Sequence, residues 1–118
     1  MKHDAAATIF HVSNVESSIN YYTQVLGFSI DFRYNDFAGV ELGAVLIYLS
    51  GPAQEVKRTV GKGSIYIFCD EVDQYFQEIS EKGAIIEVRI DNRDYGMRDF
   101  GIKDPDGNML SFGMKSEG

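Results

Sequence analysis

The chain has 118 residues, 44% of them hydrophobic and 25% charged, with a formal net charge of −7. That length suits one domain burying about two-thirds of its unfolded surface, and the composition of the chain lies in the globular range and outside the disordered one. No apolar stretch approaches the ~20 residues needed to cross a bilayer, and an acidic chain with scattered basic residues lacks the electrostatic footprint of a nucleic-acid binder.

The expected partners therefore include neither a membrane nor a nucleic acid. The single Cys69 cannot form an intramolecular disulfide, and no cationic-then-apolar leader is evident, so a reducing cytoplasm is the expected location.

In chain order, residues 1–6 read as a loose or strand-donating tail. Residues 8–14 form a β-rich run ending in polar groups, after which Val15, Ile19, Tyr22 and Leu26 recur at helical spacing until Gly27. Strand-rich stretches follow at 28–34, 39–42 and 45–50. Residues 51–63, with Pro52 and several charges, read as a connector.

The plan then repeats: residues 64–70 match 8–14, with Ser64 in the place of Thr8 and Asp70 in that of the capping Asn14. Val72, Tyr75, Phe76 and Ile79 form a second stripe closed by Gly83. Strands are expected at 85–90, 97–103 and 108–114. Between the last two, Asp104-Pro105-Asp106-Gly107 is a tight turn: Pro105 presets the backbone, Gly107 tolerates a positive φ, and the two aspartates can accept from nearby amides.

The expected fold is α+β in a single domain, 1–118. Two tandem βαβββ modules, about 7–50 and 64–115, form a curved mixed sheet with a cup-shaped cleft and with helices on the convex face. A helix on one small sheet covers one face only, so two copies side by side are the smallest stable arrangement.

Alternation along the strands turns Val45, Ile47, Leu49, Ile65, Ile67 and Cys69 toward the helices. It turns Ala7, Ile9, His11, Leu46, Tyr48, Ser50, Ser64, Tyr66, Phe68, Met109, Ser111 and Gly113 into the cup.

The run from His11 through Tyr21-Tyr22-Thr23-Gln24-Val25-Leu26-Gly27-Phe28, taken with Asp104-Pro105-Asp106-Gly107-Asn108, resembles the glyoxalase/bleomycin-resistance/dioxygenase superfamily, or vicinal oxygen chelate proteins, over essentially the whole chain. Enzymes of that superfamily, the resemblance implies, hold a divalent metal with His, Glu or Gln from the first and last strands of each module. The corresponding positions here are Ala7, Leu46 or Ile47, Ser64 and Ser111, none a good ligand for a catalytic divalent ion.

The chain's other histidine, His3, lies in the tail. No metal or other cofactor is expected. Acid/base chemistry by His11 with Glu41 or Asp99 stays open, although no spacing singles it out. Cys69 beside Asp70 reads as an inert packed thiol, and Gly61-Lys62-Gly63-Ser64 reads as a turn, since a strand and not a helix follows. Arg98 is expected to brace the late hairpin through Asp104 or Asp106.

What remains is a binder. The resemblance is nearest to the metal-free bleomycin-resistance-like subgroup, which implies sequestration of a cationic or aromatic ligand without conversion, in a symmetric homodimer. His11, Tyr48, Tyr66, Phe68 and Ser111 inside the cup, with Tyr34, Phe37 and Tyr95 near its mouth, are the candidate ligand-binding residues, because aromatic faces attract planar groups and cations. The alternatives are a metal-dependent lyase, isomerase or dioxygenase of the same fold, or a binder of some other metabolite.

Overall fold

Each half of the chain folds as a strand, a helix and three more strands. The computed structural model describes residues 1–117. The first unit comprises β1 (Ala7–His11), α1 (Val15–Asn20) running on into a π-helical turn (Tyr21–Val25), β2 (Ser29–Tyr34), β3 (Phe37–Leu42) and β4 (Val45–Ser50). The second comprises β5 (Ser64–Phe68), α2 (Val72–Glu81), β6 (Ile85–Asn92), β7 (Met97–Lys103) and β8 (Met109–Lys115).

The expected curved sheet is built as two four-stranded halves, ordered β1-β4-β3-β2 and β5-β8-β7-β6. In each half the outer first strand runs parallel to the fourth, and the other pairings are antiparallel.

The alternation predicted for the strands holds. Phe10, Ile47, Leu49, Ile67, Leu110 and Phe112 are buried with the helical stripes Val15, Ile19, Tyr22, Leu26 and Val72, Ile79 in one shared core. Asn14 caps α1 by accepting from the Ser17 amide at 2.9 Å, and Gly27 and Gly83 end the two helical segments at φ 83° and 96°, the left-handed stop that glycine adopts without strain.

The second helix departs from the repeat. It begins one residue later than Asp70 predicts, and Glu71 occupies the cap position at φ 48° with no side-chain hydrogen bond.

A second departure concerns the first helix, which widens where it meets the other module. Leu26 N–H donates to the Tyr21 carbonyl five residues back at 3.2 Å. The wider turn lets two consecutive tyrosines face inward. Tyr21 Oη donates to the Lys103 carbonyl at 2.7 Å and accepts from the Ile85 amide at 3.0 Å, while Tyr22 Oη donates to Asp104 Oδ2 at 3.0 Å.

The late turn completes this clasp. Gly107 sits at φ 101°, and Asp104 Oδ1 accepts from the Asp106 and Asn108 amides at 2.9 Å each. Asn108 Oδ1 takes the Gly63 amide at 2.8 Å, and its Nδ2 donates to the His11 carbonyl at 3.3 Å. The Asp-Pro-Asp-Gly-Asn segment is thus both a hairpin turn and the joint between the modules.

Arg98 does not brace that turn. Asp104 lies six residues on, just past the end of β7 and about 20 Å away at strand spacing, and Arg98 instead forks onto Asp73 in the first turn of α2, at 2.9 and 2.6 Å.

Candidate ligand-binding site

The face of the first sheet opposite α1 carries a ring cluster. Across β1, β4 and β3, His11 is in register with Ser50 and Phe37, and Ile9 with Tyr48 and Gly39. Phe37 and Tyr48 meet edge to face at 5.6 Å between centroids, and Phe32 of β2 joins both, at 5.9 and 5.2 Å.

Phe32 reaches over β3 because residue 39 is glycine: a Cβ there would lie 2.4 Å from the ring. Sequence reading missed Phe32, although it alternates with Tyr34 on the same strand. Tyr34 pairs with Phe37 beside the hairpin turn and is largely exposed.

The matching face of the second sheet is organised around a carboxylate. Asp99, only 5% exposed, accepts at Oδ2 from Tyr66 Oη (2.7 Å) and Tyr95 Oη (2.6 Å), and at Oδ1 from Arg93 Nε (2.8 Å). Burial works against its charge, but the hydrogen bonds from Arg93, Tyr95 and Tyr66 outweigh it and hold the pKa below the ordinary aspartate value. Partial burial, with the hydrogen bond to Asp99, pushes the Tyr66 hydroxyl well above the usual tyrosine range.

Tyr66 crosses β8 over Gly113, where a Cβ would stand 2.1 Å from its Oη. Phe68, 77% exposed, tilts against Tyr66 at 5.2 Å. Ser111 is in register with Tyr66 and half-buried.

The eight candidate residues therefore fall into two groups: His11, Tyr34, Phe37 and Tyr48 on the first sheet, and Tyr66, Phe68, Tyr95 and Ser111 on the second. Among the described residues, no aromatic contact joins the groups. A cleft of about 460 Å³ between the modules is lined by Ala7, Leu46, Tyr66 and Phe68, among others, but by none of the first group. His11 instead borders a basic hollow with Arg58 and Lys62.

The acid/base pairing also fails geometrically. Glu41 lies four residues along β3 from the row of His11, about 13 Å at strand spacing, and Asp99 belongs to the other sheet. Cys69 is half-buried, and burial together with the neighbouring Asp70 raises its thiol pKa.

The strand register also bears on the positions to which the resemblance assigns metal ligands. Leu46, not Ile47, stands opposite Ala7, and Ser64 stands opposite Met109. Ser111 is accordingly the counterpart of Tyr48 and not, as the sequence suggested, of Leu46. None of these side chains supplies an imidazole or carboxylate, so the donor set does not fit a catalytic divalent ion.

A family model described as "Glyoxalase/Bleomycin resistance protein/Dioxygenase superfamily" matches residues 5–112. Bleomycin resistance proteins of Geobacillus stearothermophilus and Staphylococcus aureus are 26% identical over 117 residues, covering 86% of this chain and 89% of their own. Among solved structures, TioX from Micromonospora sp. ML1 superposes with a TM-score of 0.83 at 15% identity, over 97% of this chain and 100% of that one.

The bleomycin-binding protein of bleomycin-producing Streptomyces verticillus, solved with copper(II)-bleomycin, superposes at 0.79 and 23% identity over 99% of each chain. The two structural likenesses establish the fold, and the family match spans both modules from β1 into β8. The chain belongs to the glyoxalase/bleomycin resistance protein/dioxygenase superfamily.

Proposed function

We propose that the protein sequesters a planar, cationic or aromatic small molecule of the bleomycin type without converting it, and that it does so as a symmetric homodimer. The observation that carries this reading is the content of the two sheet faces: each carries stacked, edge-to-face or tilted rings, while Ala7, Leu46, Ser64 and Ser111, at the positions the resemblance assigns to metal ligands, offer no imidazole or carboxylate. The names of the bleomycin-resistance relatives and of the copper(II)-bleomycin complex support the ligand class. The net charge of −7 would speed the approach of a cationic glycopeptide more than it would tighten the final complex.

Three features support the dimer. The two aromatic faces lie apart in one chain, so a complete cup needs the first-sheet face of one protomer against the second-sheet face of its partner. The chain is flat, at 47 × 40 × 24 Å with a radius of gyration of 14.6 Å, against about 13.5 Å for a globular chain of this length. Its surface of 7245 Å² exceeds by roughly 800 Å² the area usual for its mass. Part of that excess is the exposed tail, and part is apolar sheet surface such as Ile9 and Phe68.

A cytoplasmic site of action fits the lone thiol. No described helix is long and apolar enough to cross a membrane, and neither a membrane nor a nucleic acid is proposed as a partner.

The test is calorimetric titration of bleomycin into wild-type, Tyr48→Ala and Phe68→Ala protein. Binding that is lost or sharply weakened in both variants supports a shared cup. Unchanged affinity in both would remove it.

A further inference from the structure

The polarity of the Asp99 cluster restricts what can dock against it. A phenol has one O–H to donate. Tyr66 and Tyr95 both spend theirs on Oδ2 of Asp99, at 2.7 and 2.6 Å, and an ionised carboxylate has no hydrogen to return.

Arg93 is partly committed: its Nε donates to Asp99 Oδ1, and its Nη2 to the carbonyls of Asp99 at 3.0 Å and Arg89 at 2.7 Å, which leaves the two N–H groups of Nη1 without a partner among the described residues. Tyr66 and Tyr95 remain 37% and 64% exposed, and with their hydrogens committed to Asp99 the part-buried hydroxyl oxygens can offer a ligand lone pairs alone. Sharing one acceptor atom, those oxygens are near enough for a single amidinium or ammonium group to span both. Phe68 beside Tyr66, at 5.2 Å, supplies a flat apolar surface next to them.

We infer that the Tyr66–Tyr95 wall is a specificity element that accepts hydrogen bonds and donates none, selecting planar ligands that carry N–H groups over ligands of the same shape that carry a carboxylate. The physical basis is an asymmetry. An N–H donor is satisfied by the wall as it stands. At the two phenols a carboxylate could be satisfied only by turning a hydroxyl hydrogen outward, which strips a partner from the buried Asp99 charge.

Gly113 keeps the arrangement in place, since any side chain there would push Tyr66 off the carboxylate. The inference rests on the proposed function in taking this face as ligand-binding, and it specifies the chemistry of the ligand.

The experiment uses benzamidine and benzoate, which share a ring and near-identical shape. Each is titrated into the ¹⁵N-labelled full chain at high salt, where long-range charge effects are screened, and the amides of Tyr66, Asp99 and Gly113 are followed. Benzamidine should bind at least about tenfold tighter than benzoate. In Asp99→Asn the phenols are free to turn outward, so benzoate should gain about fivefold or more. In Asp99→Asn/Tyr66→Phe/Tyr95→Phe, which keeps the rings and deletes the hydroxyls, that gain should vanish.

Equal affinity for the two probes, no gain in Asp99→Asn, the same gain in the triple variant, or no shift at these amides with either probe would overturn the inference. Selectivity without bleomycin uptake would remove the sequestration reading alone. Uptake without selectivity would remove this inference alone.

Discussion

Gly113→Ala tests the second-sheet wall through its packing. The new methyl would lie 2.1 Å from Tyr66 Oη, 2.8 Å from its Cζ and 2.9 Å from Asp99 Cβ. Tyr66 is partly exposed and can swing away, so the chief loss is its hydrogen bond to the ionised Asp99, roughly 1.5 kcal/mol at the lower end for a charged acceptor. Residual crowding against Asp99 adds about 1 kcal/mol, and the lower chain entropy of alanine returns about 0.5 kcal/mol.

The net cost is about 2 kcal/mol. With an unfolding entropy of roughly 0.25 kcal/mol/K for a chain of this length, that lowers Tm by about 8 °C.

In a Tyr66→Ala background the hydrogen bond is already gone and only the approach to Asp99 Cβ remains, so Gly113→Ala should then cost about 0.5 kcal/mol, or about 2 °C. Thermal unfolding of the four proteins by circular dichroism measures both steps. An equal drop in Tm in the two backgrounds would refute the reasoning, because the penalty would then owe nothing to Tyr66.

Tyr22→Phe deletes a fully buried donor to Asp104 and should cost about 1.5–2 kcal/mol, measured by urea unfolding; a loss under about 0.5 kcal/mol would contradict the clasp. Asp99 has a folded pKa below its unfolded value, so its stabilisation is present above the unfolded pKa and is lost as pH falls through the folded one. Asp99→Asn should therefore flatten the fall in Tm as pH drops below about 4, and an unchanged acid limb would be the contrary result. Phe68→Asp, at a position 77% exposed in one chain, should leave the fold intact and shift sedimentation velocity toward the monomer. A dimer that sediments unchanged would place the interface elsewhere.

Much of the fold was legible because its signals are local. Val45 to Leu49 alternates faces cleanly, Gly27 and Gly83 stop the helical stripes, and Asp104 to Gly107 is a turn by its residue types alone. The extra inward turn of α1 was not legible, since adjacent Tyr21 and Tyr22 break the helical period and both become buried through acceptors and donors more than sixty residues away.

The ring positions Tyr48, Tyr66 and Phe68 followed from parity. Phe32 did not, because its place over the sheet depends on the missing side chain of Gly39. The Asp99 cluster had a local half, Arg93 and Tyr95 on the same hairpin, which turn geometry could have suggested. Its other half, Tyr66, arrives from β5, and no spacing in the chain announces that contact.

The central claim is that two chains close a drug-sequestering cup that needs no metal. Native mass spectrometry of the purified protein, with and without added bleomycin, tests it most directly, since one spectrum reports oligomeric state, bound metal and bound drug. The account predicts a metal-free dimer that gains the mass of bleomycin. A monomer, or a species that retains a divalent metal and takes up no drug, would contradict it.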